Sequence, residues 1–349
     1  MILIVLGHAG FPLKSYIYLF HVAVFFIIAG WCWKDCYSDG IRNVASFLKK
    51  RICSLYIPYV VWLSLFTLLH NFFLRIHFYT DDVSFLEGKT GNSFGLAYYY
   101  TGYDFFASII KNLLFYGNEP MAGASWFIRC LFFLLVLWTC IDFLIKKFFT
   151  TKVHIARLII SLIFFGVGNI LRIKGVFLPG NLSAVFSVYI LFGFGIYHKM
   201  LMGKADNTLC EKRICKIFLI LICIFLLGIM NAIGKIELSM NQYDNVLFLL
   251  AASVTGWILL LETASMIRSK KLKKMLSVIG KNTIWILFLH FFVFKFINAL
   301  QVALYDLPLY RIASYPTLYT ENGWWILYTI AGVSVPIYIK YLTQNLFKR

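Results

Sequence analysis

The chain has 349 residues, of which 61% are hydrophobic, 19% aromatic and only 14% charged, and its mean hydropathy is +0.79. Soluble domains are about a quarter charged and under half apolar, so a soluble fold, a disordered chain and a small disulfide scaffold are excluded. The formal charge of +18, from 33 Lys and Arg against 15 Asp and Glu, does not mark a nucleic-acid binder. That function needs a basic face on a folded domain, whereas these cations cluster between apolar runs. The composition is that of an integral membrane protein with no nucleic-acid partner.

Residues 1–11, MILIVLGHAGF, are apolar but reach only about 16 Å at 1.5 Å per residue. They read as the outer half of a first span. A full crossing needs about 20 apolar residues. Runs of that kind follow at 16–33, 55–74, 125–145, 155–171, 181–198, 214–232, 243–267, 283–300 and 323–342. Their apolarity is continuous rather than alternating, which predicts helices and not barrel strands. The expected fold is all-α: a polytopic membrane protein of about ten transmembrane helices, the first truncated, in one transmembrane domain over 1–349.

The basic clusters near 34–51, 146–157, 199–216, 268–281 and 340–349 fall in alternate loops. Cytoplasmic loops carry such an excess, which puts both termini in the cytoplasm. Residues 75–124 and 301–322 then face outside. Within the first of these, DFFASIIKNLLFYG at 104–117 is amphipathic enough to lie along the membrane. None of the eight cysteines, Cys210 among them, falls in an outward loop, and their spacing suggests neither a disulfide framework nor a metal site.

Ionisable residues inside a bilayer are functional candidates by default. His8 and His21 flank the turn FPLKS at similar distances, so each is expected roughly 5–9 Å below the outer surface, on adjacent antiparallel helices where they can meet. Each can instead satisfy a backbone carbonyl. Arg129 lies about four residues into its span, and Trp126 beside it offers a flat face to a sugar ring. Lys295 reads as a snorkelling cation. His290 is expected nearer the cytoplasmic side, away from His8 and His21, as either a packing or a site histidine. No Asp or Glu occupies the middle of a span, which argues against an ion-coupled transporter.

Several of these stretches together resemble one family. LIVLGHAG, YLFHVAVFFIIAGWCW and FLKKRICSLYIPYVVW resemble the opening of the membrane acyltransferase-3 family. ASWFIRCLF, VYILFGFGIYHK and SVIGKNTIWILFLHFF resemble its later signatures. The Phe-His-x-x-x-Phe-Phe form is similar to the fucose 4-O-acetylase-like branch, which modifies bacterial saccharides. The resemblance makes His8 the family's catalytic histidine. The family usually has an arginine eleven residues earlier, a position that here would precede Met1. Its cytoplasmic arginine cluster aligns with Lys50 and Arg51, with Ser54 at the third position.

The resemblance implies acyl transfer, acetyl by default, from cytoplasmic acyl-coenzyme A to a hydroxyl of a saccharide outside a bacterial cytoplasmic membrane. Acetyl-coenzyme A is then a cosubstrate rather than a resident cofactor. Lys49, Lys50 and Arg51 would receive its phosphates, unless they serve only to set topology. His8 is expected as base or transient acyl carrier, His21 as its orienting partner and Arg129 at the oxyanion. Trp126 and His290 are expected at the saccharide. The alternative is a polysaccharide polymerase or lipid-linked sugar exporter without acyl transfer.

Overall fold

The computed structural model describes residues 1–82, 95–202 and 212–346. Lys204, Cys210, Lys348 and Arg349, which belong to the clusters and cysteines above, lie outside the described residues. In chain order the helices are α1 (Ile2–His8), α2 (Lys14–Tyr18), α3 (His21–Trp31), α4 (Ile41–Arg51) and α5 (Ile57–Leu68). They continue as α6 (His70–Arg75), α7 (Gly102–Leu113), α8 (Trp126–Phe148), α9 (Val153–Ile173) and α10 (Leu182–Met202). Then come α11 (Arg213–Ile233), α12 (Val246–Met266), α13 (Lys270–Lys281), α14 (Thr283–Leu304) and α15 (Trp324–Leu346). The described strands are β1 (Ile236–Glu237) and β2 (Gln242–Tyr243), paired antiparallel.

Nine helical stretches among the described residues are long and apolar enough to cross a bilayer, and they fall on the nine runs read from the sequence. The second begins earlier than expected, at Ile41, because α4 continues through a π-helical turn, Ile52–Tyr56, into α5. The fold is an all-α polytopic membrane protein. Its outward surface shows the solvent it was built for. On α9, Ile155, Leu158, Ile159, Leu162 and Ile163 form one exposed stripe. On α11 only Cys223 and Leu227 are buried, while Phe218, Leu221 and Phe225 face out. Contiguous apolar surface on this scale is stable against lipid rather than water.

The chain separates into two compact units: Met1–Lys14, Ile57–Ser125 and Lys274–Arg349 form the first; Ser15–Tyr56 and Trp126–Lys273 form the second. In the first unit α14 packs on α15, on the turn Pro120–Ser125 and on the turn Leu309–Ala313, while α1 packs on α15. The amphipathic segment forms α7, capped by Thr101, whose hydroxyl accepts from the Asp104 N–H. The Thr101 N–H and hydroxyl in turn donate to Asp104 and hold that carboxyl below the usual carboxylate range. Asn112 Nδ2 donates to Thr67 Oγ1 at 3.0 Å and ties α7 to the end of α5.

In the second unit α10 is the central helix, packed on α3, α8 and α9. Gly30 and Gly195 let α3 and α10 approach backbone to backbone: a Cβ on Gly30 would meet the Phe192 carbonyl, and one on Gly195 the Ile27 carbonyl. Small residues serve membrane helix interfaces in this way. One end of the unit holds a buried ion network. Arg157 donates from Nε to Asp142 Oδ1 at 2.6 Å, and from Nη2 to Asp142 Oδ2 at 2.9 Å and Asp35 Oδ1 at 2.7 Å. The Ser38 hydroxyl also donates to Asp142. Arg157, grouped above with the loop cations, is therefore a buried residue of α9, because Asp142 and Asp35 neutralise it. Removing one partner of a buried pair strands the other charge, at about 3–5 kcal/mol. Asp142→Ala is expected to lower stability by that amount, read as a fall in the melting temperature of the purified protein, with Asp142→Asn intermediate.

Candidate functional site

The first unit brings together two histidines. His8 closes α1 half-buried, and its ring lies 5.5 Å from that of His290 and 4.9 Å edge-on from Phe291, centroid to centroid. His290 is fully buried, and its Nδ1 lies 2.9 Å from the Ile286 carbonyl oxygen one turn back. A carbonyl only accepts, so Nδ1 carries the proton and the neutral ring keeps its lone pair on Nε2. That Nε2 is buried and has no hydrogen-bond partner among the described residues. An unpaired base beside a second imidazole is costly to bury and is suited to proton transfer.

A buried, irregular segment supports the pair. Lys295 Nζ donates to the Ala313 and Ser314 carbonyls at 2.8 and 2.9 Å. Asn298 Nδ2 donates to the Ile312 and Ser314 carbonyls, and its Oδ1 accepts from the Leu318 N–H. Gln301 donates to the Tyr319 carbonyl and accepts from the Tyr319 N–H, while the Tyr328 hydroxyl shares its one proton between the Asn298 and Gln301 amide oxygens. Held in this way, Tyr315 packs 4.8 Å from Phe291, with its hydroxyl against Gly123, where a Cβ would collide.

Two sequence expectations are corrected here. Lys295 does not snorkel: it is 1% exposed and spends its charge on backbone carbonyls. His290 lies beside His8 rather than away from it. The snorkelling expectation places Lys295 by its distance from the outer end of its span, but the segment it meets beyond that end, Ile312, Ala313 and Ser314, is buried rather than at the surface.

The other expected residues lie in the second unit. His21 opens α3, buried, with Nδ1 2.9 Å from the Ile17 carbonyl oxygen and its ring stacked on Tyr18 at 5.1 Å. Trp126 and Arg129 start α8 three residues apart, both half-buried and on one helix face. Lys49 and Lys50 are exposed, while Arg51 lays its guanidinium over the Phe47 ring, 4.8 Å from its centroid. The Arg51 Nε is buried with no partner among the described residues, just before the π-helical turn.

A second polar cluster of the first unit went unread in the sequence. His70 and Glu119 are both 2% exposed, with Nδ1 3.2 Å from Oε2. His70 Nε2 donates to the Tyr98 carbonyl, and its ring stacks on Tyr100 at 3.6 Å. The Tyr79 hydroxyl donates to Glu119 Oε2 and the Tyr100 hydroxyl to Oε1. Burial first, and the Glu119 charge second, push both phenols above their ordinary pKa, so they stay donors. Tyr79 also accepts the Met121 N–H, so the cluster fixes the turn that carries Gly123. The two partners stand 49 residues apart, and no spacing rule links them.

A helical membrane protein with a half-buried and a fully buried histidine paired beside aromatic walls defines a class of candidate membrane enzymes. The acyltransferase-3 family profile, described as an acyltransferase domain, matches residues 1–341, and the chain belongs to that family of acyltransferases. No curated protein and no solved structure gives a significant match.

Glu119→Ala would leave the buried Tyr79 hydroxyl, the Tyr100 hydroxyl and the His70 Nδ1 without their carboxyl partner and is expected to cost about 3–5 kcal/mol. Glu119→Gln keeps an acceptor and should recover part of that loss. Thermal unfolding of the two variants checks this, and melting temperatures equal to that of the unaltered protein for both would show that the carboxylate anchors nothing.

Proposed function

We propose that this acyltransferase moves an acetyl group from cytoplasmic acetyl-coenzyme A to a hydroxyl of an extracytoplasmic saccharide, in a bacterial cytoplasmic membrane with both termini inside. The observation that carries the reading is the His8–His290 pair in a chain of this family. In the reaction the thioester C–S bond breaks and an ester C–O bond forms. The acceptor hydroxyl gives up its proton, and the leaving thiolate takes one.

His8 receives the hydroxyl proton and passes it to the thiolate, or first carries the acetyl group itself. His290, with Nδ1 tied to Ile286, packs its ring 5.5 Å from that of His8 and brings an unpaired Nε2 lone pair into the same site. Geometry therefore supports His290 in the orienting role that the sequence suggested for His21. The second-unit residues keep roles of their own. Lys49 and Lys50 are exposed to meet phosphates, and Arg51 adds an unsatisfied donor. Trp126 and Arg129 present a ring face and a cation suited to a sugar and a developing negative charge. His21 remains a candidate through its buried ring.

The test follows radiolabel from acetyl-coenzyme A into cell-surface polysaccharide. His8→Ala is expected to abolish transfer, and His290→Phe to lower it by a factor on the order of 100 or more, both with an unchanged melting temperature. Full transfer by His8→Ala would remove that residue from the mechanism. Saccharide export or lengthening without label would replace acyl transfer by the polymerase or exporter reading.

A further inference from the structure

The helix α13, KKLKKMLSVIGK, stands apart from the rest of the chain. None of its residues is buried. Leu272, Met275, Leu276 and Ile279 recur at the spacing of a single helix face, and Leu272 and Met275 are 38% and 50% exposed. At 3.6 residues per turn, Lys270, Lys271, Lys273, Lys274 and Lys281 fall on the opposite side and its flanks. The helix contains no acidic residue, and none of its lysines forms an ion pair among the described residues.

Both ends of α13 are tied to membrane-spanning helices. Three residues, Ile267–Ser269, separate it from α12, and Asn282 alone separates it from α14. A three-residue link reaches about 11 Å at most, so the helix cannot leave the membrane surface. Hydrogen bonds reinforce the attachment. The Ser269 hydroxyl accepts from the Leu272 N–H. Asn282 Nδ2 donates to the Val278 carbonyl at 2.7 Å, and Asn282 Oδ1 accepts from Lys340 Nζ of α15 at 2.8 Å. Lysines crowd the first turn, where the helix's own dipole disfavours cations. Intrinsic helix stability therefore does not account for them. The charge bias of cytoplasmic loops explains their side of the membrane, and a layer of external negative charge explains their gathering on one amphipathic helix.

We propose that α13 is a docking surface for anionic phospholipid, its apolar stripe resting at the acyl boundary and its lysines among the headgroups. Interfacial helices of basic amphipathic sequence bind in this way. The surface is independent of the acyl-transfer chemistry and would hold whichever acceptor the enzyme uses.

Hydrogen exchange over 270–281 tests it on the full chain in nanodiscs of phosphatidylcholine alone or of phosphatidylcholine doped with phosphatidylglycerol. Amide exchange in this segment is expected to slow several-fold in the anionic discs. Each lysine contributes about fivefold to surface binding, so the variant K270Q/K271Q/K273Q/K274Q/K281Q should lose the difference between the discs. No buried residue is altered, and an unchanged melting temperature in neutral discs confirms that the variant folds. Equal exchange in both compositions, or slowing that survives the five substitutions, would overturn the proposal. Equal slowing by soluble coenzyme A in neutral discs would also overturn it, by assigning the lysines to a dissolved phosphate ligand.

Discussion

Backbone that is neither helix nor strand carries N–H and C=O groups that need partners, and the interior of a membrane protein offers little water to supply them. The segment from Leu309 to Thr320 meets that demand through one face of α14. Lys295, Asn298 and Gln301, spaced three residues apart, answer the backbone of Ile312, Ala313, Ser314, Leu318 and Tyr319. The same helix, one to two turns earlier, carries His290 and Phe291. The position of Tyr315 against Phe291, and so the wall beside the His8–His290 pair, depends on this side-chain-to-backbone clamp.

Each unit buries charge by a different device. The first gives a lysine to carbonyl oxygens and sets a glutamate among a histidine and two phenols. The second closes an arginine between two aspartates. In all three cases the charged group is surrounded by groups of complementary polarity, which is the condition under which buried ions persist. Lys295 lies well inside the apolar α14 and stands out there, whereas Glu119, Asp142 and Arg157 lie outside or near the ends of apolar runs, where hydropathy gives little notice of them.

The nine crossings were legible because lipid imposes length and apolarity on every helix that spans it, and both are visible in one dimension. So was α7, whose polar–apolar alternation is local. His8 was legible from a motif and its place near the first turn. Its partner was not: His290 meets His8 across helices far apart in the chain, and no local pattern encodes that. His70 and Glu119 share the difficulty. Lys295 was misread for a related reason, since a cation near the end of an apolar run looks the same whether it reaches for headgroups or for buried carbonyls.

The exposed helix α11 bears on the membrane itself. It packs chiefly on α12 and buries only Cys223 and Leu227, so most of its apolar surface is left open to the bilayer's acyl chains. Its 21 residues give a rod of about 32 Å, close to the roughly 30 Å hydrocarbon thickness of a typical bilayer. A helix enclosed by protein, such as α10, takes its tilt from side-chain packing. A helix enclosed by lipid takes much of its tilt from hydrophobic matching. Bilayer thickness thereby becomes a mechanical input to one edge of the second unit.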